Sequence, residues 1–172
     1  MTGWIGISLG DASGIGPEVA LKALAAEAQT DELRYLLIGD VNRVRRLNLQ
    51  LGLRLPLETY DGARSAGRFL MHDPLSKPLP EVVETGSAEA ATAALAWLTD
   101  GAQRCLRGEL DALVTAPVNK ESIMQTGRPF VGQTEFLSQL AGTERTSMML
   151  LGQDERGRWL RVVLATTHVP LR

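Results

Sequence analysis

The sequence predicts an α/β fold in which helices cover both faces of a mostly parallel sheet. Short apolar runs alternate along the chain with stretches of helical length, and a glycine-rich turn follows the first run. Parallel strands need a crossover connection, which is usually a helix. A strand covered on both faces reads as a continuous apolar run. Both features favour a parallel sheet over an antiparallel one.

The first half of the chain carries local signals for strands and helices. Strands are predicted at residues 4–9, 34–38 and 112–115, the last of them buried. Pro17 at the first helical position and Glu18 in the first turn favour a helix that reaches about Gln29. Asp40 and Ser87 are of the types that cap helices, and these helices are expected to end near residues 51 and 106. Residues 53–80 contain four of the eight prolines, which predicts short strands and surface loops.

The last third of the chain predicts two short helices and a hairpin. Asn119 is expected to cap the first helix and Thr134 the second. Apolar runs at 148–151 and 159–165 flank a polar turn, which is typical of paired strands. We therefore expect a first α/β domain over residues 1–128 and the beginning of a second α/β domain over residues 129–172.

The composition is that of a globular protein and excludes several functional classes. The 172 residues are 44% hydrophobic and 22% charged, with a net charge of -2. No basic cluster is backed by exposed aromatic residues, so nucleic acid is not an expected partner. No apolar run approaches the ~20 residues of a membrane span, and the N-terminus from Met1 to Trp4 lacks the basic start and long apolar stretch of a signal peptide. A cytoplasmic protein without membrane partners is therefore expected. Cys105 is the single cysteine and is expected to be a small buried residue rather than a reactive thiol.

The turn at residues 10–18 is the first candidate site. It links a predicted strand to a predicted helix, where backbone amides favour an anion, and Asp11 lies within it. Glycines at 10, 14 and 16 do not form the dinucleotide-binding fingerprint. A tight structural turn explains the same residues equally well.

The segment 114–120 is the second candidate. Asn119 and Lys120 follow the end of a predicted strand, and open α/β sheets bind ligands at the carboxyl ends of their strands. The alternative is that Asn119 only caps a helix and Lys120 is solvated.

The segments 132–136 and 165–170 complete the candidates. Gln133 and Thr134 follow a loop at the start of a predicted helix, although capping alone would explain Thr134. His168 follows an apolar strand as a possible metal ligand or acid–base group, or as a structural residue. Catalytic metal sites commonly use about three protein ligands. The other histidine, His72, falls in a proline-rich stretch expected at the surface, so further ligands are expected beyond Arg172 or on another subunit.

Together, residues 10–18, 111–120, 132–136 and 165–172 resemble the 4-hydroxythreonine-4-phosphate dehydrogenase family of vitamin B6 biosynthesis. The resemblance implies a two-domain fold similar to isocitrate and isopropylmalate dehydrogenases, incomplete in this chain. It also implies a homodimer with a shared active site, NAD (or NADP) as cofactor, and a divalent metal such as Zn, Mg or Co. The expected reaction is the oxidation, with decarboxylation, of 4-phosphohydroxy-L-threonine on the route to pyridoxal 5'-phosphate.

The resemblance also assigns site residues. His168 matches the first of three metal-binding histidines, and the other two would follow Arg172, so the 172-residue piece alone is expected to be inactive. Gln133-Thr134 matches a His-Thr pair that contacts substrate, while Asp11, Asn119 and Lys120 are weaker candidates for the pocket wall. Glutamine cannot carry a positive charge or shuttle a proton. A relative that oxidises another phosphorylated hydroxy acid, such as a threonate phosphate, or a cyclic diol therefore stays open, as does a truncated, non-catalytic fragment.

Overall fold

A computed structural model describes residues 3–27, 32–62 and 65–165 of the chain. The strands are β1 Trp4–Ser8, β2 Arg34–Ile38, β3 Leu57–Thr59, β4 Phe69–His72, β5 Ala112–Thr115, β6 Met149–Gln153 and β7 Trp159–Val163. The helices are α1 Gly16–Glu27, α2 Val41–Gln50, α3 Ala88–Leu106, α4 Lys120–Gln125 and α5 Gln133–Leu140. The first five strands form one sheet in the order β3-β4-β2-β1-β5, and every neighbouring pair is parallel. The predicted α/β class and parallel sheet are confirmed.

Helices α1 and α3 lie on opposite faces of this sheet. Ile7 and Val114 line a groove with residues of α1. Leu113 and Ile38 instead approach Gly101 of α3, where an added Cβ would lie 2.6 and 3.1 Å from their side chains. Successive residues of a strand point to opposite faces. The two helices therefore cover the two faces, as predicted.

Side-chain caps begin three of the helices as predicted. Asp40 accepts a hydrogen bond from the amide of Arg43 at 2.8 Å and begins α2. Ser87 begins α3 and Asn119 begins α4 in the same way. Capping is local chemistry, because the side chain satisfies an amide only three residues ahead.

The predicted cap of α5 is wrong. Gly132, not Thr134, is the capping residue, and no side chain caps this helix. Gly132 is extended (φ -174°, ψ 173°), and Gln133 and Thr134 already belong to the first turn. The loop therefore enters the helix two residues earlier than the Thr134 signal indicated. The predicted end of α1 at Gln29 falls outside the described residues.

Two burial predictions are also wrong. Strand β5 lies at the edge of the sheet rather than inside it, and Val114 is 53% exposed. Apolar composition does not distinguish an edge strand from a central one, because both have one face on the core. His72 does not lie in a surface stretch; it ends β4, and its side chain is only 25% exposed.

The hairpin is confirmed as a separate antiparallel pair, in which Met149 faces Val163 and Gln153 faces Trp159. Asp154 closes its turn, because the carboxylate accepts from the amides of Arg156 and Arg158, each at 2.9 Å. Every residue of β6 and β7 is exposed.

The division between residues 1–128 and 129–172 stays a prediction. Phe136 and Leu137 of α5 pack on a second apolar cluster, whose buried members include Leu95 and Leu98 of α3. The segment after residue 128 is thus anchored to the first sheet's helical layer. None of the described helices is both long and apolar enough to cross a membrane.

Candidate functional site

Two turns meet at the carboxyl ends of the neighbouring strands β1 and β5. The Asp11 amide donates to the carbonyl oxygen of Pro117 at 3.0 Å. Gly10 has a φ of 68°, and a Cβ added there would lie 2.2 Å from the same oxygen. Only glycine adopts this conformation readily and leaves room for the opposing backbone. The glycine therefore makes the close contact between the two turns possible.

The Asp11 carboxylate closes its own turn. Its Oδ1 accepts from the amide of Ser13 at 2.8 Å and from the Ser13 hydroxyl at 2.7 Å, and the residue is 9% exposed. A carboxylate that already occupies these donors disfavours a second anion there. Of the two interpretations of residues 10–18, the geometry favours the tight structural turn.

Gln133 connects the start of α5 to the turn after β5. Its Nε2 donates to the carbonyl oxygen of Ala116 at 3.1 Å. The other amide atom, Oε1, is buried and has no hydrogen-bond partner. This oxygen atom therefore differs from most buried polar groups, which have a hydrogen-bond partner.

Two charged groups of opposite sign lie close to Gly132. A Cβ added to this glycine would lie 2.6 Å from Oε2 of Glu135 and 3.7 Å from Nζ of Lys120. The carboxylate is the flexible end of its side chain, and it folds back over the residue that begins the helix. A glutamate at this place in the first turn is favourable beside the amide end of a helix.

Gln133, Thr134 and Lys120 share one cavity of about 490 Å³. Its other lining residues are Val131, Gly132, Glu135, Ser138, Thr143, Glu144, Thr146, Met148, Leu164 and Ala165. The structure thus brings together residues from two candidate segments, 114–120 and 132–136, and Ala165 from the segment 165–170. Asp11 and Asn119 do not line this cavity, and the Oδ1 of Asn119 accepts from the amide of Ser122 at 3.1 Å. His168 lies outside the described residues.

A group of hydroxyl residues in the cavity was missed from the sequence. Ser138 donates from Oγ to the carbonyl oxygen of Thr134 at 2.7 Å, and its Oγ lies 3.1 Å from Oγ1 of Thr146. The helical spacing of four residues between Thr134 and Ser138 indicates a shared face and was a usable signal. No sequence spacing indicates the contribution of Thr146, which comes from the loop beyond the helix.

The described residues do not by themselves form a metal site. In the described ranges no three or more His, Cys, Asp and Glu side chains come together in a way that would hold an ion. The cavity contributes two carboxylates, Glu135 and Glu144. This is fewer than the about three protein ligands typical of catalytic zinc.

His72 at the end of β4 and Arg104 and Cys105 on α3 have shifted pKa values. Burial and the nearby Arg104 lower the pKa of His72, although its Nε2 lies 3.7 Å from Asp100. Burial raises the pKa of the Cys105 thiol, so the thiol is less reactive than a free cysteine. None of these residues lines the cavity that contains Gln133.

Comparison with known proteins bears on the whole chain. Residues 31–172 match the family described as "Pyridoxal phosphate biosynthetic protein PdxA". A 4-hydroxythreonine-4-phosphate dehydrogenase of Synechococcus sp. (strain JA-3-3Ab) is 36% identical over 97% of this chain and 48% of its own length. A D-threonate 4-phosphate dehydrogenase of Cupriavidus necator is 38% identical, over 97% of this chain and 50% of its own.

Solved structures agree. The crystal structure of a 4-hydroxythreonine-4-phosphate dehydrogenase from Burkholderia phymatum has a TM-score of 0.82 at 33% identity, over 99% of this chain and 51% of that one. A terephthalate 1,2-cis-dihydrodiol dehydrogenase from Burkholderia xenovorans LB400 has a TM-score of 0.63 at 30% identity, over 83% of this chain and 42% of that one. The chain spans about half the length of the curated relatives it matches. With the match over residues 31–172 and the similarity of the fold, the chain belongs to the PdxA family of pyridoxal phosphate biosynthetic proteins.

Proposed function

We propose that this chain forms part of an NAD- or NADP-dependent dehydrogenase for a small phosphorylated hydroxy acid, 4-phosphohydroxy-L-threonine in the first instance. The observation that carries the proposal is the cavity of about 490 Å³, which gathers Gln133, Thr134 and Lys120 beside the strand that leads toward His168. Relatives named as dehydrogenases of 4-hydroxythreonine 4-phosphate and of D-threonate 4-phosphate support the substrate class. The product lies on the route to pyridoxal 5'-phosphate.

In this proposal Gln133 and Thr134 orient the substrate. Gln133 is held in place by its hydrogen bond to Ala116, so its side chain presents a fixed, uncharged wall. Thr134 lines the same cavity, and its hydroxyl is able both to donate and to accept. Two polar side chains that are held in place at the start of a helix give a ligand one preferred orientation. Asp11 and Asn119 support the turns around the site and do not contact the ligand.

A divalent metal, Zn, Mg or Co, is proposed with His168 among its ligands. Such an ion would stabilise the alkoxide that forms when the substrate hydroxyl loses its proton. The described residues do not supply the remaining ligands. His168 is assigned to the metal because it matches the first of the family's three metal-binding histidines.

A second candidate substrate class is favoured by one residue. Gln133 stands where the family resemblance expects histidine, so neither a charged contact nor a proton shuttle is available there. The Cupriavidus necator relative is named for D-threonate 4-phosphate, and the Burkholderia xenovorans neighbour for a cyclic dihydrodiol. Oxidation of a threonate phosphate or a cyclic diol is therefore the alternative.

We also propose a homodimer with a shared active site. The support is one face of the hairpin, on which Met149, Leu151, Trp159 and Val163 are each more than half exposed. Contiguous exposed apolar surface of this kind marks an interaction site.

The test begins with the coding sequence beyond codon 172, where two further histidines in family-like contexts are expected. The whole encoded protein is then assayed for metal-dependent NADH or NADPH formation from three substrates: 4-phosphohydroxy-L-threonine, D-threonate 4-phosphate and a cis-dihydrodiol. Thr134→Val should lower kcat/KM by about tenfold or more, since it removes a hydroxyl that contacts substrate. Thr92→Val, an exposed threonine on α3, is the matched control and should leave kcat/KM unchanged. Absence of turnover with all three substrates rejects the proposal.

A further inference from the structure

We propose that Lys120 binds an anionic oxygen of the ligand, on a phosphoryl or a carboxylate group, and so holds one end of the ligand in the cavity. This inference rests on the proposed function, because it assumes that the cavity containing Gln133 and Thr134 is the ligand site. It assigns one of the two anionic ends of the substrate to one side chain.

The backbone of Lys120 is held in place, whereas its side-chain ammonium group has no partner among the described residues. Its backbone is the first residue of α4, which Asn119 caps and which Ile123, 0% exposed, anchors in the second apolar cluster. The side chain is exposed, lines the cavity, and makes no hydrogen bond or ion pair with any other described residue. A lysine usually solvates its ammonium freely or pairs it on the surface. Here the ammonium instead borders a concave site.

The distribution of charge in the cavity leaves one place for an anion. Lys120 is the single lysine or arginine among the described lining residues, whereas Glu135 and Glu144 are both acidic. Glu135 lies near Lys120 across Gly132, but the two do not form an ion pair. Lys120 attracts an anion and the two carboxylates repel it, so its most favourable position is beside Lys120, on the side away from Glu135.

The hydroxyl residues on the cavity wall fit the other needs of an anion. Thr134 and Thr143 supply hydroxyl donors to the cavity, and a phosphoryl group has three oxygens that accept hydrogen bonds. The ammonium has three N–H donors and bonds to a charged oxygen about twice as strongly as to a neutral one. The hydroxyl-bearing carbons of the ligand then lie away from Lys120, toward the remaining wall.

The experiment titrates the purified protein with inorganic phosphate at constant ionic strength and follows the midpoint of thermal unfolding. Phosphate should raise the midpoint of the parent protein. Lys120→Met, which keeps the length of the side chain and removes its charge, should weaken the apparent affinity by about tenfold or more. Lys120→Arg should retain most of the affinity. Lys77→Met is the matched control, because Lys77 is exposed and lies outside the cavity.

Several results would overturn the role of Lys120 in anion binding. Affinity that stays within about twofold in Lys120→Met, or that falls equally in Lys77→Met, overturns the assignment, and so does the absence of any effect of both phosphate and acetate on the parent protein. An acetate titration, run in parallel, shows whether a carboxylate is bound in place of phosphate. This readout needs no turnover. A protein that binds phosphate through Lys120 but oxidises none of the three substrates would reject the proposed reaction and keep the anion site.

Discussion

The side-chain amide of Gln133 donates to the backbone carbonyl of Ala116 at 3.1 Å, which joins the start of α5 to the turn after β5. This bond fixes the orientation of the amide, since only its NH2 group has hydrogens to donate to a carbonyl oxygen. The Oε1 atom is then held in a buried position with no partner. One favourable contact and one unfavourable one are therefore coupled in a single side chain.

Gln133→Glu and Gln133→Met should separate these two contributions. Glutamate has the same shape but, when ionised, has no hydrogen to donate to the carbonyl of Ala116, and it buries a charge. It should lower the free energy of unfolding by about 1–3 kcal/mol. Methionine loses the hydrogen bond but also removes the unpaired acceptor, so its cost should stay below about 1 kcal/mol. Denaturant melts of both variants measure the difference; equal costs would mean that a buried side-chain oxygen without a partner costs little at this position.

Gln133→His should raise kcat/KM for 4-phosphohydroxy-L-threonine in the whole encoded protein. The reason is the family resemblance at this position, where a histidine precedes the threonine that matches Thr134. An imidazole still donates a hydrogen bond and, when protonated, also carries a charge toward an anionic substrate. Steady-state kinetics on this substrate and on D-threonate 4-phosphate provide the measurement. An unchanged or lower kcat/KM would show that the pocket is built around Gln133 for another ligand.

Gly10→Ala should destabilise the fold far more than an ordinary glycine substitution. The φ of 68° strains any side chain, and the new Cβ would lie 2.2 Å from the carbonyl oxygen of Pro117, which is backbone and moves only with its turn. The expected loss is about 3 kcal/mol or more.

Gly52→Ala is the control for conformation alone. Gly52 has nearly the same φ, 66°, but no atom lies within 4 Å of the added Cβ, so the expected cost is about 1 kcal/mol. Denaturant melts of the two variants isolate the close approach of the turns. Similar losses in both would show that the turns at residues 10 and 117 separate easily.

The features that were predicted correctly from the sequence depend on residues that are close together in the chain. Asp40, Ser87 and Asn119 begin helices because a side chain meets an amide three residues ahead. The exposure of Val114 depends on the order of strands, which no local pattern contains. For the same reason the bond between Gln133 and Ala116, which spans 17 residues, was not predicted although both residues lay in candidate segments.

His168→Ala separates a metal ligand from a structural histidine. If His168 binds metal, the variant of the whole encoded protein should lose tight metal binding, since changes even beyond the ligands typically cost about 10–100-fold. Its stability without metal should stay close to that of the parent. A structural histidine predicts retained metal and a loss of roughly 1–3 kcal/mol. Metal analysis and a denaturant melt of the same sample provide both readouts, and full metal occupancy in the variant would end the ligand hypothesis.

The stability of the protein should fall as the pH drops below about 6.5, and His72 should be one cause. Burial lowers the pKa of His72 below its ordinary value of 6.5, and Arg104 lowers it further. Asp100, Asp73 and Glu109 act in the opposite direction, and Asp100 is already occupied by Arg104 at 2.7 Å. Below 6.5 the unfolded state therefore binds more protons than the folded state at this site.

It follows that stability rises with pH through this window and is lost on acidification. His72→Gln removes the titrating group and should flatten the dependence between about pH 5 and 7, while the carboxylates still titrate at lower pH. Free energies of unfolding at a series of pH values provide the test. A slope in His72→Gln as steep as in the parent would show that the imidazole is protonated as readily in the folded as in the unfolded protein.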